Sequence, residues 1–298
     1  MARFLGILLV VLSAAAFGTL AILGRYAYAA GLDTMSILFL RFSLAAILML
    51  LLLALRREPL PRGPVVLRLF AMGAVGYVGD STAYLSALKY ASAGLVALLL
   101  YLYPVFVALL SVLVLRERLT PVKVLALVLA LAGTALTVSP EGGQLLGILL
   151  AISAAAIYSV YIIVGSQVMK QVSAFQSSAV IFASAGLTSG VLMLIDGPHL
   201  PRDTSGWVVI AAIVLVATVL PVVTFLAGLE RIGATNAAML STMEPVVTVL
   251  LALWLFGERP GVLTLLGGAL ILVAVLLLAR SELRRSGAGA GTRLKPSC

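Results

Sequence analysis

The stretch Leu102-Tyr103-Pro104-Val105-Phe106-Val107-Ala108-Leu109-Leu110 sits in an apolar run from Leu88 to Leu115 that closes in Arg116-Glu117-Arg118. It has a counterpart 141 positions on: Glu244-Pro245-Val246-Val247, in a run from Leu229 to Phe256 that closes in Gly257-Glu258-Arg259. At that shift Leu85 falls on Leu226, Leu88 on Leu229, Ala93 on Ala234 and Pro104 on Pro245. Near the start of the chain Gly6-Ile7-Leu8-Leu9 falls on Gly147-Ile148-Leu149-Leu150. One residue of slippage later, Ser13-Ala14-Ala15-Ala16 falls on Ser153-Ala154-Ala155-Ala156. The 298 residues therefore read as one apolar unit written twice.

The solvent of that unit is lipid. Hydrophobic residues make up 62% of the chain and charged ones 10%, with a mean hydropathy of +1.20. A water-soluble fold cannot hide so much apolar surface. Ten runs near 4–24, 35–55, 66–88, 93–115, 121–138, 145–168, 173–195, 207–229, 234–256 and 261–280 approach the span of about 20 residues a crossing helix needs. They are apolar all round, so they do not read as barrel strands, which alternate. The first run follows Arg3 but is long and matches the sixth, so it is not read as a signal peptide. Five crossings end on the side opposite to where they began, and a direct second copy must be inserted upside down. The expected fold is an all-α integral membrane protein of ten transmembrane helices. It consists of two inverted five-helix repeats, 1–140 and 141–283, around a central cavity, with 284–298 as a disordered cytoplasmic tail. Inverted repeats of this kind build secondary transporters, with the substrate site between the halves.

Charge sets the orientation. With a cytoplasmic N-terminus the inner surfaces carry Arg3, Arg56, Arg57, Arg62, Arg68, Arg116, Arg118, Lys123, Lys170, Arg231, Arg280, Arg284, Arg285, Arg293 and Lys295. The outer surfaces carry only Arg25, Lys89, Arg202 and Arg259, and Arg41 lies within the second run. Fifteen against four is a positive-inside bias that places both termini in the cytoplasm of a plasma (bacterial inner) membrane. The net charge of +9 is thereby spent on topology and gives no sign of a nucleic-acid partner. No Gly-x-x-x-x-Gly-Lys-Ser/Thr loop is present for ATP. His199, the only histidine, stands in an outer loop and Cys298, the only cysteine, at the inner end. No metal, cofactor or hydrolase triad is therefore expected, and the chain does not read as an enzyme.

The Tyr103-Pro104 and Glu244-Pro245 stretches, each leading to a Glu-Arg pair, resemble the drug/metabolite transporter superfamily, and within it the ten-helix, EamA-type exporters. The resemblance covers nearly the whole chain. It implies two five-helix inverted repeats, a central cavity and efflux of small metabolites without ATP. Within the superfamily the chain is most similar to the amino-acid exporters, including those handling aromatic amino acids. Pro260-Gly261 stands where the first copy has Leu119-Thr120, a departure at a helix start.

Intramembrane ionisable groups are the first candidates for function, because an ionised carboxylate in the bilayer must face a cavity or a partner. Asp80 lies midway along the third run. At about 100° per residue Gly73, Tyr77, Asp80, Ser81 and Tyr84 share one face, read as cavity lining. Gly76, Gly79, Ala83 and Ser86 share another, read as a close helix contact. Glu244 lies centrally in the ninth run, before a proline that frees a carbonyl and bends the helix. Either carboxylate could instead be structural, accepting from a neighbouring hydroxyl or freed amide. Arg41 is expected to snorkel or to form a structural or gating pair with a carboxylate. Tyr77, Tyr84, Tyr101, Tyr103, Tyr158 and Tyr161 combine an apolar ring with a hydroxyl, which suits a zwitterion with a variable side chain. On a continuous helix Tyr101 and Tyr103 point nearly opposite ways, so at most one faces the cavity. Pro104, Pro221 and Pro245 are expected as kinks within continuous runs, with Pro221 falling on Asp80 at the 141 shift. Asn236, Met239, Ser241 and Met243 add polar and adaptable surface near Glu244. Glu117 and Glu258, at run ends, are explained by capping or the helix dipole, and Trp207 and Trp254 by the interfacial belt.

The expected mechanism is alternating access around a central site. The expected partners are a small-molecule substrate and membrane lipid, with the chain a monomer or weak homodimer. Two other functions compete with amino-acid export. An exporter of quaternary cations would use the same carboxylates and tyrosines. A lipid-handling enzyme or scaffold would need a nucleophile, base or ligand cluster that the sequence does not offer.

Overall fold

Polar side chains cap the starts of several of the apolar helices. The computed structural model of the protein describes residues 2–87, 90, 91, 96, 99–137, 144–256 and 261–291. Leu88, Lys89, Ala93, the Gly257-Glu258-Arg259 closing, Pro260 and Cys298 lie outside the described residues. The described elements are α1 (Ala2–Gly18), α2 (Leu20–Ala29), α3 (Thr34–Arg56), α4 (Pro64–Ala71) and α5 (Val78–Ala87). After them come α6 (Tyr103–Leu113), α7 (Pro121–Thr137), α8 (Leu145–Val168), α9 (Ala174–Asp196) and α10 (Thr204–Val214). The chain continues through α11 (Leu220–Ile232), α12 (Ala234–Ser241), α13 (Glu244–Phe256) and α14 (Val262–Gly291). Wider π-helical turns join α4 to α5 (Met72–Tyr77) and α10 to α11 (Leu215–Val219).

Caps explain the boundaries. Asp33 accepts from the Ser36 and Met35 amides and starts α3. Ser173 and Gln176 form a reciprocal capping box at α9. Asp203 accepts from the Gly206 amide at 2.9 Å and starts α10. Exposed and free of membrane, the Asp203 carboxyl is held below its ordinary value, first by that amide and then by the Ser205 hydroxyl. At the far end, α14 stays helical through Gly291. It runs past Arg280 into the 284–298 segment read above as disordered, because Ser281-Glu282-Leu283-Arg284-Arg285 contains good helix formers.

Among the described residues six helical stretches are long and apolar enough to cross a membrane: Ala2–Ala29, Thr34–Arg56, Leu145–Val168, Ala174–Ile195, Thr204–Ile232 and Ala234–Leu255. Tyr103–Leu113, Pro121–Leu136 and Leu265–Ser281 are shorter apolar helices. Large apolar side chains cover the outside, Trp254 at 79% exposure among them, as lipid contact requires.

Lipid offers no hydrophobic drive between helices, so the helices meet where small residues let backbones close. In α1 and α11, a Cβ on Gly6 would stand 2.7 Å from Ile232, and one on Gly228 would stand 2.9 Å from the Gly6 carbonyl. Further along the same pair, Ser13 donates to the Pro221 carbonyl at 2.7 Å, so the two helices run antiparallel. In α3 and α9, Phe39 meets Gly190, Ser43 meets Gly186 and the Arg56 guanidinium covers the Phe175 ring, again antiparallel. Helix α5 packs on α8, α6 on α12 and α7 on α14.

Candidate functional site

Three ionisable side chains stand within these apolar helices. Asp80 is in the first turn of α5, directly after the π turns, and its Oδ1 is buried with no hydrogen bond. Glu244 is the first residue of α13, where the helix dipole favours a negative charge. Arg41, on α3, is 5% exposed, and its Nε and Nη2 have no hydrogen-bond partner. Among the described residues the ion pair expected of Arg41 is not formed: its guanidinium stacks on Phe42, 4.6 Å from the ring centre, and lies 6.0 Å from that of Tyr77. Tyr77 thus lies beside Arg41 and three residues ahead of Asp80.

A line of touching rings runs through this region. Phe182 stacks on Phe42 at 6.3 Å, Phe42 meets Tyr77 edge-on at 5.0 Å, and Tyr77 meets Tyr161 edge-on at 5.7 Å. Tyr161 stacks on Tyr158 at 5.9 Å, Tyr158 meets Tyr103 edge-on at 4.9 Å, and Tyr101 lies 6.3 Å from Tyr103. Edge-on and offset contacts at these separations are favourable. Five of the six sequence-designated tyrosines thus join one row. Tyr84 does not: it packs against a small separate cluster with Ala87, Val96 and Ala151.

Two local deviations from the α-helix explain the differences from a simple periodic reading. First, the π turns at Met72–Tyr77 use more residues per turn than 3.6 and rotate everything before them relative to α5. Gly73, read as cavity lining, is instead the close contact: a Cβ there would collide with the Ser184 hydroxyl and the Ile181 carbonyl of α9. Gly76 faces the Tyr161 ring, and Gly79 has only Ile157 nearby at 3.9 Å. Second, Tyr101 and Leu102 form a turn before α6, so Tyr101 and Tyr103 do not diverge as they would on a helix. The equivalent turn in the other half is Thr242–Met243, before α13.

Two of the prolines are helix starters. Pro104 is the second residue of α6 and Pro245 of α13, each after a turn, where a missing amide costs little; Pro221 lies inside the continuous Thr204–Ile232 helix, just after the π turns. The expected kinks in continuous runs are thus breaks at Pro104 and Pro245, and a π-to-α transition at Pro221. Within α12 Asn236 donates to the Ile232 carbonyl and Ser241 to the Ala237 carbonyl, while the Asn236 Oδ1 is buried without a hydrogen-bond partner. Met239 is buried. Several contributors escaped the sequence reading because they carry no charge and no motif. Phe42 and Phe182 extend the ring row, Ser159 donates to the Tyr103 carbonyl at 3.2 Å, and Thr248 donates to the Gly18 carbonyl at 3.0 Å. The Tyr103 hydroxyl donates across to the Ala238 carbonyl at 3.3 Å.

A family model for the EamA-like transporter family matches the chain twice, over residues 4–139 and 145–280. The chain belongs to the EamA-like transporter family. An uncharacterized transporter of Archaeoglobus fulgidus is 30% identical over 276 residues, covering 91% of this chain and 95% of that one. The uncharacterized transporter YcbK of Bacillus subtilis is 25% identical over 279 residues, covering 88% of each. A solved crystal structure shares the fold with a TM-score of 0.81 at 23% identity, over 94% of this chain and 98% of that chain. The protein is thus a multi-pass membrane transporter.

Two cavities of this EamA-like transporter lie at helix ends. One, of about 450 Å³, is lined by Arg3, Glu117, Arg118, Lys123, Arg231, Ile232 and Asn236. The other, of about 430 Å³, lies between the Pro59–Val65 segment and Gln171, Val172 and Gln176. Neither reaches Asp80 or Glu244. In the first, Glu117 accepts from Thr235 at 2.9 Å in the opening turn of α12. The capping or dipole interaction expected of Glu117 is with its own neighbour α7; the contact it makes is with Thr235 of α12, in the other half.

Proposed function

We propose that this EamA-like transporter exports amino acids and related small metabolites across the plasma (bacterial inner) membrane by alternating access between two inverted five-helix repeats. The observation that carries the reading is the row of tyrosines beside Arg41 and Asp80, whose Nε, Nη2 and Oδ1 are buried without a hydrogen-bond partner, with Glu244 at the start of α13. Buried charges persist where a ligand or water completes them. Rings with hydroxyl handles suit variable amino-acid side chains beside a constant polar head. The packing pattern supports the inverted arrangement: α3 on α9 and α7 on α14 pair each element with its repeat equivalent, and α1 on α11 mirrors α8 on α5. A two-fold axis between antiparallel halves produces that set of pairs. In the present arrangement the rings touch, and passage requires the halves to part along that row.

Counterflow of radiolabelled phenylalanine, tyrosine and leucine in proteoliposomes, with and without a pH gradient, tests the reading. Transport of amino acids that Asp80→Asn slows supports it, and the gradient arm reads proton coupling. Transport of quaternary ammonium dyes with no amino-acid transport replaces it with the cation exporter. Equal transport by wild type and Asp80→Asn at every pH removes Asp80 from the mechanism.

A further inference from the structure

Arginine is the basic side chain that cannot shed its proton to escape burial. Inside a bilayer it therefore demands counter-charge or water. Arg41 has neither carboxylate nor carbonyl on its outer edge: among the described residues no carboxylate lies within ion-pair distance, and Nε and Nη2 are buried without a partner. Those two nitrogens are on the same edge of the guanidinium, the edge that receives a carboxylate through two parallel N–H···O bonds. The plane itself is held in place. Phe42 supports it from one side at 4.6 Å, Tyr77 stands at 6.0 Å, and Phe42 and Tyr77 brace each other at 5.0 Å. A braced, empty fork differs from a side chain that merely failed to find a mate. Asp80, three residues after Tyr77, has a buried Oδ1 that is equally short of a donor. Tyr77 therefore stands between them, beside Arg41 in space and about one helical turn before Asp80 in the chain. The protein has kept a cation and an anion near one ring and has not joined them.

We propose that Arg41 is the anion subsite of the central site, and that the substrates are amphoteric: a carboxylate docks on the Arg41 edge and an ammonium meets Asp80. This rests on the transport reading above and narrows its substrate class. It also selects against permanent cations, which would approach Arg41 with no anion to offer it.

The test uses the purified full-length protein and three probes: L-phenylalanine, L-phenylalaninamide, which lacks the carboxylate, and 3-phenylpropionate, which lacks the ammonium. Wild type binds phenylalanine at least about tenfold more tightly than the amide, as charged hydrogen bonds of this kind allow. Arg41→Gln loses that preference, and Arg41→Lys, which keeps the charge without the fork, retains part of it. The wild-type comparison needs no variant, so a misfolded Arg41→Gln leaves the proposal open to refutation. Binding of 3-phenylpropionate that Arg41→Gln abolishes upholds the subsite even if no amino acid is transported, which separates this inference from the amino-acid reading. A wild type that treats acid and amide alike, or binds none of the three, overturns the proposal. So does an Arg41→Gln protein with the wild-type preference.

Discussion

The Thr248 hydroxyl donates to the carbonyl of Gly18, 3.0 Å away and 230 residues earlier in the chain. It joins two interruptions, since Gly18 ends α1 at Thr19 and Thr248 follows the break before Glu244. A Cβ on Gly18 would stand 3.0 Å from the Glu244 carbonyl, so the two breaks are in direct contact. Irregular backbone at this depth persists only when buried in protein or lining water. Replacing Thr248 with the isosteric valine leaves the Gly18 carbonyl without its donor. The expected cost is about 1 kcal/mol, read as a lowered thermal midpoint in detergent. An unchanged midpoint would show that the bond does not hold the breaks together.

Gly73 and Gly79 give a contrast within one helix. Gly73→Ala places a methyl against the Ser184 hydroxyl and the Ile181 carbonyl. Because one neighbour is backbone, the helices must separate, at a cost of about 1–3 kcal/mol. Gly79→Ala meets only Ile157 at 3.9 Å and changes stability by less than about 0.5 kcal/mol. Equal midpoints for the two variants would refute the rotation introduced by the π turns.

Tyr161 is 4% exposed and touches both Tyr77 and Tyr158. Truncation to alanine opens the row, while phenylalanine preserves it. In lipid the transfer gain of burial is absent and the packing loss remains, so Tyr161→Ala should cost about 2 kcal/mol and impair transport. Tyr161→Phe should stay near wild type in thermal midpoint. If the alanine variant transports at the wild-type rate, the row has no part in the pathway.

Glu117 and Thr235 link the halves at one mouth of the protein, 2.9 Å apart. Glu117→Gln keeps an acceptor but removes the charge at the start of α12, a loss of about 0.5 kcal/mol. Thr235→Val removes the bond itself. A double-mutant cycle on thermal stability should find the two effects non-additive; strict additivity would place the residues apart.

Asp203 supplies a pH signature outside the membrane. Its carboxyl is held below the ordinary value by the Gly206 amide and the Ser205 hydroxyl. A lowered folded value means that the folded state resists protonation. The cap is therefore complete at neutral pH and is lost as pH falls below about 4. Hydrogen exchange at the Gly206 amide should lose protection across that acid range. In Asp203→Ala the protection should be low at every pH, and a pH-independent Gly206 amide in wild type would deny the cap.

Much of the site was legible from composition. Asp80, Glu244 and Arg41 stand out because charges in apolar runs are rare for a strong energetic reason. The tyrosines stand out because they alone bring hydroxyls to rings there. Their grouping was not legible. Tyr77, Tyr161, Tyr158 and Tyr103 come from three different helices, and Phe42 and Phe182, which complete the row, look like ordinary apolar residues. Face assignments failed where they assumed a constant rotation per residue, at Gly73 across the π turns and at Tyr101 across the turn before α6.

What the sequence determined by itself is the lipid solvent, the helical backbone and the 141-residue period, because each follows from local apolarity and from self-comparison. Which polar groups pair is different. Among the described residues Arg41 has no ion pair, Glu117 finds Thr235, and Thr248 finds Gly18. Those outcomes depend on distances between helices remote in sequence and on the extra residues in two π turns. Only the packed bundle sets them, because in lipid it is close backbone contact, and not burial of apolar surface, that decides which helices meet.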